Sequence, residues 1–415
     1  MKKLLCLVLF SGATWAQTLP TPLSLNDVLS WADNESFEQK QQQLDLQAQT
    51  LGLSQTQDGY NLKTSLDLAL GSRAEYDQGL NNSHGFIRLN KVLYDQSLEI
   101  SAHAQRKQLD NTKMQSQQIQ HDRDVALMRG FFDVVLADMA FETVLQRLAN
   151  AAVKQNRVQE DYDLQAASEV ELLEWQTKTQ TLVVDRIQAE SQQISSRAKL
   201  AQLLNLDYEQ RPDDVLRPNL KPLFKQALPN FEDFQAKLLT HNLKLKQLQH
   251  ALSSTQQQIS QENDNLGLVL SSSARLGEQA YQRDKNGKWR VGINLSMPLG
   301  SDDKKRQKLA KLKLKSQQQT LAIEQHQQGL VSQALIHHQK LRALRQAHKA
   351  LVVELDYRDL FLERARANYE MGLKSGIGNA MTNFTDTERK LAQNEFDYLI
   401  TLKQLYFLVG ENYEI

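Results

Sequence analysis

Trp289-Arg290-Val291-Gly292-Ile293-Asn294-Leu295-Ser296-Met297 alternates apolar with polar or small residues without a break. A period of two marks a β-strand whose two faces meet different surroundings. Upstream, Leu266, Leu268 and Leu270 alternate with small or polar positions, and a charged loop, 277–288, with Asp284-Lys285-Asn286-Gly287 inside it, turns the chain back. This reads as a hairpin with strands at about 266–276 and 288–298. The same arrangement stands earlier in the chain. Leu62, Leu66, Leu68 and Leu70 alternate with Lys63, Ser65, Asp67 and Ala69; a polar loop, 76–84, follows, and a weaker strand returns over 86–93. The first hairpin therefore takes strands at about 62–71 and 85–94.

Strands of about ten residues are long enough to cross a bilayer at a tilt. The apolar rows Leu66, Leu68, Leu70, Leu266, Leu268, Leu270, Trp289, Val291, Ile293 and Leu295 are then the candidate lipid-facing residues. A second reading has the same period: soluble hairpins packed on other elements. Trp289 likewise fits either an interfacial aromatic belt or a core position. In lipid, four strands cannot stand alone, because each unpaired backbone group at an open edge costs several kcal/mol. Nor can they close a barrel, since about eight strands are needed merely to fill the interior with side chains. Two copies would give eight strands and a plugged interior, whereas three give twelve and a water path. The expectation is a homotrimer, four strands per chain, sharing one transmembrane β-barrel.

The hairpins belong to a tandem duplication. Asn26-Asp27-Val28 matches Glu232-Asp233-Phe234, and Leu66-Asp67-Leu68-Ala69-Leu70 matches Leu266-Gly267-Leu268-Val269-Leu270. Tyr162-Asp163-Leu164-Gln165-Ala166-Ala167-Ser168 matches Tyr369-Glu370-Met371-Gly372-Leu373-Lys374-Ser375. Self-similarity at a fixed offset is the mark of repeated architecture. The halves are 17–206 and 231–415, joined by 207–230, where Pro212, Pro218, Pro222 and Pro229 break helix and mark a linker. Each half reads helix, two strands, two long helices. The first helix spans 25 to about 57, with Ser24 as N-cap and Asp27 three residues on. Long helices are expected at 95–161, 169–206, 301–369 and 379–411. Residues 95–161 and 302–368 hold no proline and one glycine each, Gly130 and Gly329. Either would extend roughly 100 Å as a helix, a length that suits lateral coiled-coil pairing rather than a compact core. The fold class is mainly α, with a shared β-barrel and long coiled-coil helices.

Lys2 and Lys3, an apolar run over 4–10 and Ala13-Thr14-Trp15-Ala16 make a secretory signal peptide, 1–16, cleaved after Ala16. The one cysteine, Cys6, lies inside it behind Leu4-Leu5 rather than small residues, which argues against lipidation and leaves the mature chain without a thiol. Charge balances at 49 basic against 49 acidic residues, so no basic field for nucleic acid is present. His-Glu-x-x-His, an i,i+4 histidine pair, a phosphate loop and Gly-x-Ser-x-Gly are all missing from the sequence. No catalysis, cofactor or metal is expected.

The duplicated helix–hairpin–helix–helix layout, with Tyr369-Glu370-Met371-Gly372-Leu373-Lys374-Ser375 in the second half, resembles the TolC family of outer-membrane efflux proteins from about residue 23 to 410. The resemblance implies an outer-membrane location with a periplasmic extension. It also implies a passive exit duct that docks to a periplasmic adaptor and to an inner-membrane pump or ABC exporter, as in tripartite efflux or type I secretion. In the family a short turn swivels each strand into its helix; Tyr94-Asp95 and Met297-Pro298-Leu299-Gly300 take those places. The helical hairpin tips fall near 165–171 and 372–378. By motif position Ser168, Gly372, Leu373 and Ser375 become adaptor contacts, although all four also suit plain turn chemistry. Family members close the periplasmic mouth with polar links between repeats, which here places Tyr369 and Lys374 against Glu171, with Glu174 nearby. Two departures stand out. Gly378 and Met381 replace the aspartates that often ring the entrance, leaving Glu171 and Glu174 either to supply acidity or to serve as exposed helix charges. Gln165 stands where glycine is usual, which predicts a tighter or shifted first tip. The competing function is a periplasmic coiled-coil scaffold or adaptor without a pore.

Overall fold

A computed structural model describes residues 19–35, 37–75, 78–81, 83–228, 230–279, 288–298, 303–372, 376–411 and 413. The signal segment lies outside them. The first half runs α1 (Leu25–Glu35), α2 (Phe37–Gln57), β1 (Lys63–Ala69), β2 (Ser72–Glu75), β3 (Gln78–Asn81), β4 (His84–Asp95), α3 (Gln96–Asp163) and α4 (Glu169–Leu203). The second half runs α5 (Phe231–His241), α6 (Leu243–Asp264), β5 (Val269–Gln279), β6 (Trp289–Ser296), α7 (Asp303–Glu370) and α8 (Ile377–Leu408). The order of elements repeats, with a short pair β2–β3 in the first-half loop; residues 280–287 of the second-half loop lie outside the described residues. The two longest helices, α3 and α7, are unbroken over 68 residues each.

The helix read from 25–57 is helical on both sides of Ser36, which lies outside the described residues, whereas the second half opens with two separate helices. In the second half the cause is Asn242, whose extended backbone stops α5. Its side-chain oxygen accepts from the Leu245 amide at 2.8 Å and its Nδ2 donates to the Leu408 carbonyl at 2.9 Å. An N-cap inside an apolar run resets the helix rather than continuing it. At the front of α1, Ser24 and Asp27 make the reciprocal capping pair read from the sequence.

The chain forms two compact units, each assembled from both sequence halves: one from Met1–Ser36, Arg123–Ala227 and Leu341–Thr401, the other from Phe37–Asp122, Leu228–Lys340 and Leu402–Ile415. The repeats are therefore interleaved rather than separate bodies. In the first unit Leu127, Met128, Phe131, Phe132, Leu200, Leu391, Phe396 and Leu399 are buried. Phe132 stacks on Phe396 at 4.1 Å between ring centres. Gly130 lets α3 and α4 approach closely, since a Cβ there would meet Leu203 at 2.8 Å. Arg197 grips Asp138 with two hydrogen bonds of 2.7 and 2.9 Å.

The proline-rich joint is more than a spacer. Leu23 and Val215 form a parallel bridge, and Leu220 is buried. Phe224 stacks on His348 at 3.7 Å. Glu395, 1 % exposed, accepts from Arg217 at 3.3 Å and faces His348 at 3.4 Å. In the second unit Phe234, Leu238, Leu245, Leu330, Ala334 and Leu405 make the helical core.

Candidate functional site

Two places carry the site residues read from the sequence: the sheet of the second unit and the helix turns of the first. The sheet has four antiparallel strands in the order β1-β4-β5-β6. The two hairpins thus join through β4 and β5, leaving β1 and β6 as open edges. Pairing of Leu66 with Ile87, Leu89 with Ala274, Ile87 with Leu276, and then Leu276 with Trp289, fixes the register. Because side chains alternate faces, one face carries Leu66, Leu68, Ile87, Leu89, Leu270, Ala274, Leu276, Trp289, Val291, Ile293 and Leu295. The other carries Ser65, Asp67, Arg88, Asn90, Ser271, Ser273, Arg275, Arg290, Gly292, Asn294 and Ser296.

The apolar face lies open to the surroundings. Trp289 is 69 % exposed and Ile293 74 %, so Trp289 is not a core residue of this chain. A bulge at Leu93 shifts the register and brings Tyr94 opposite Leu270 on the same face. Trp289, opposite Leu276, and Tyr94, opposite Leu270, therefore stand some six residues apart on β5, about 20 Å along the strand, with Leu68 one row beyond Trp289. Lys91 is the one cation that the register sets among these apolar rows, opposite Ser272.

The structure corrects the strand limits. Leu266 and Leu268 precede β5, and Leu70 lies one residue beyond β1. The 266–268 backbone is tied elsewhere: the Leu266 amide donates to Gln96 Oε1 at 3.0 Å and the Gly267 amide to Asn265 Oδ1 at 2.8 Å. Gly267 has φ of +66° and packs against Pro298. Ile87, Leu89, Ala274 and Leu276 join the apolar face instead; on β5 Ser271, Ser272 and Ser273 interrupt the alternation, and on β4 Phe86 beside Ile87 and Lys91 after Leu89 do. The β4-to-α3 swivel needs no turn: Asp95 ends the strand and caps the helix, accepting from the Ser97 amide at 2.8 Å and the Leu98 amide at 3.2 Å. Of the second swivel, 299–302 lie outside the described residues.

At the first helix turn Ser168 caps α4, its hydroxyl accepting from the Glu171 amide at 3.2 Å. Gln165 adopts φ of +59°, and Gly372 adopts +70°. Both amides donate to the carbonyl of a tyrosine three residues back, Gln165 to Tyr162 at 2.9 Å and Gly372 to Tyr369 at 3.0 Å. The predicted tightening or shift at Gln165 does not occur at this hydrogen bond, because glutamine takes the left-handed conformation that glycine supplies in the second half. Tyr369, Glu171 and Glu174 are exposed, and no hydrogen bond or ion pair joins their side chains to one another. Leu373, Lys374 and Ser375 lie outside the described residues. Gly378 is a packing position: a Cβ there would overlap the Asn150 side chain on α3. Met381 is partly exposed.

Next to this turn α8 carries Asp386, which meets Arg389 at 3.0 Å, Lys390 at 2.9 Å and Arg147 at 3.8 Å. Burial alone would raise its carboxyl, but hydrogen bonds from Lys390 and Arg389 and their charges hold it below the usual carboxylate range. Lys154 and Lys178 both lie over Trp175, at 5.1 and 4.6 Å from the ring centre. Among the described residues no group of His, Cys, Asp and Glu could hold a metal ion, and no helix is long and apolar enough to cross a membrane.

The profile of the outer membrane efflux protein family matches residues 236–411. No curated protein matches the chain in sequence. In structure it is similar to CusC, solved in work on transmembrane channel formation, at 15% identity and a TM-score of 0.73 over 98% of this chain and 96% of that one. The outer membrane protein VceC of Vibrio cholerae gives 13% identity and 0.71, covering 94% and 97%. The open-state outer membrane channel MtrE of Neisseria gonorrhoeae gives 14% and 0.71, covering 93% and 88%. Residues 236–411 match the outer membrane efflux protein family, and over nearly its whole length the chain has the fold of solved outer-membrane channels.

Proposed function

We propose that the mature chain is one subunit of a passive outer-membrane exit duct, that three copies share a twelve-stranded barrel, and that residues 1–16 are removed on export. The observation that carries this reading is the sheet: an apolar face, a polar face and two open edges, β1 and β6. Open edges are excluded from hydrocarbon, so copies must pair edge to edge. With an even number of antiparallel strands per chain, β6 of one copy meets β1 of the next antiparallel, and the ladder alternates without a fault. The apolar row then faces lipid and the polar row lines water. A sarkosyl-insoluble, heat-modifiable trimer in the outer-membrane fraction is the expected result; a soluble periplasmic monomer would remove the reading in favour of a scaffold.

The helix turns at Ser168 and Gly372, with Leu373 and Ser375, are the surface offered to a periplasmic adaptor, which links the duct to an inner-membrane pump or exporter. Tyr369 and Lys374 link to Glu171, with Glu174 beside it, when the mouth closes. Links of ~0.5–3 kcal/mol hold a closed state reversibly. Conductance of a Glu171→Ala, Lys374→Ala double variant should exceed that of the parent; equal conductance would discard the gate.

A further inference from the structure

We infer that the polar face of the sheet carries a cationic belt, formed by Arg88, Arg275 and Arg290, that selects small anions in the lumen. The inference rests on the barrel reading above. The register places Arg88 opposite Arg275 and Arg275 opposite Arg290, so three arginines stand side by side on three neighbouring strands, with Ser65 completing the row on β1. Strands lie about 4.8 Å apart. Like charges directly opposite one another destabilise a sheet, so this row opposes the sheet's own stability, a local conflict expected where a site does something else.

Two features hold the row in place without cancelling it. Asp67 pairs with Arg88, and the guanidinium of Arg275 lies over the ring of Phe86 at 4.3 Å. Phe86 is 4 % exposed, the one large apolar side chain buried on this polar face. Its ring faces the cation and also stacks with His84 at 5.1 Å. No carboxylate among the described residues pairs with Arg275 or Arg290. Lys63, opposite Asn90 on the same face, adds a fourth cation against two acids, Asp67 and, at the end of β4, Asp95, whose carboxylate caps α3.

In a trimer the rows bring nine arginines to one band of the lumen. Strand tilt of about 40° inclines each row, so the band is three oblique steps rather than a flat ring. A twelve-stranded barrel has a radius of roughly 12 Å. The Debye length is about 30 Å at 10 mM salt and about 3 Å at 1 M. The belt therefore reaches the axis at low salt and is screened at high salt.

The test is the reversal potential of the purified full-length trimer in planar bilayers, with a tenfold KCl gradient and a dilute side near 10 mM. The parent should pass chloride in preference to potassium, and the preference should vanish near 1 M. An Arg88→Gln, Arg275→Gln, Arg290→Gln variant should lower the chloride-to-potassium permeability ratio by about threefold or more. Where that variant does not assemble, Arg290→Gln alone should lower the ratio, Arg290→Glu should lower it further, and Arg290→Lys should keep it. Pores that conduct with an unchanged ratio in every neutral variant would overturn the belt and leave the duct standing. A parent that forms no pore would overturn the duct, and the belt with it.

Discussion

Replacing Ile293 with arginine separates a lipid-facing row from a packed one. Ile293 lies four residues from Trp289 and three from Ser296, about 13 Å and 10 Å along the strand, so it sits near the middle of β6. It belongs to the apolar face and is exposed, with Ser272 as its only cross-strand neighbour within the chain. Nothing in the chain is displaced by a longer side chain. In lipid, arginine near the midplane of a barrel's outer face costs about 2–4 kcal/mol, while lumen substitutions are tolerated. At 1.4 kcal/mol per factor of ten, that is about 30-fold to 1000-fold per subunit in the insertion equilibrium. The adjacent Asn294→Arg points to the opposite face and is the matched control. The assay is the fraction of chain recovered as heat-modifiable trimer in the outer membrane at equal expression. The account expects near-complete loss for Ile293→Arg and near-parental recovery for Asn294→Arg. Equal recovery of the two, or the reverse order, would refute the assignment of faces.

Gln165→Gly should stabilise the chain by about 0.5–1 kcal/mol, because a left-handed non-glycine residue costs about 1–2 kcal/mol and glycine returns part of that as unfolded-state entropy; thermal unfolding in detergent reads it, and a lowered midpoint would contradict the turn geometry. Asp386 contributes stability above the usual carboxylate pKa near 4 that is lost as pH falls through its lower folded value. Asp386→Asn should therefore flatten the acid limb of a melting-point-against-pH curve, and an unchanged limb would show that Arg389 and Lys390 do not hold the carboxylate. Glu388 runs the opposite way: burial chiefly raises its pKa, so its favourable contribution is lost as pH rises. Glu388→Gln should raise the melting point at neutral pH and leave it unchanged at pH 3.

Local pattern carried most of the fold. Trp289 to Met297 was readable because a two-faced strand writes its period into adjacent residues, and the 68-residue helices because breakers are so scarce. Misreadings arose where distant groups decide. Leu266 and Leu268 continue the apolar alternation, yet Gln96, far away in sequence, binds their backbone outside the ladder. Asn242 stops a helix through a bond to the Leu408 carbonyl. The row of Arg88, Arg275 and Arg290 exists only once β4 pairs with β5, a contact between hairpins that no local window contains. Gln165 shows the converse: a residue that departs from the second half keeps the same backbone turn, because the hydrogen bond to Tyr162 fixes it.

The measurement that bears most directly on the shared barrel is cross-linking between its open edges. Within one chain β1 and β6 lie three strand spacings apart, about 14 Å. A thiol linker of roughly 8 Å, a little over half that separation, cannot join them inside one chain. With Ser65→Cys on β1 and Asn294→Cys on β6, applied to intact outer membranes, the account expects a ladder that ends at trimer. Products that stop at dimer, or no cross-linking at all across the edges, would contradict it.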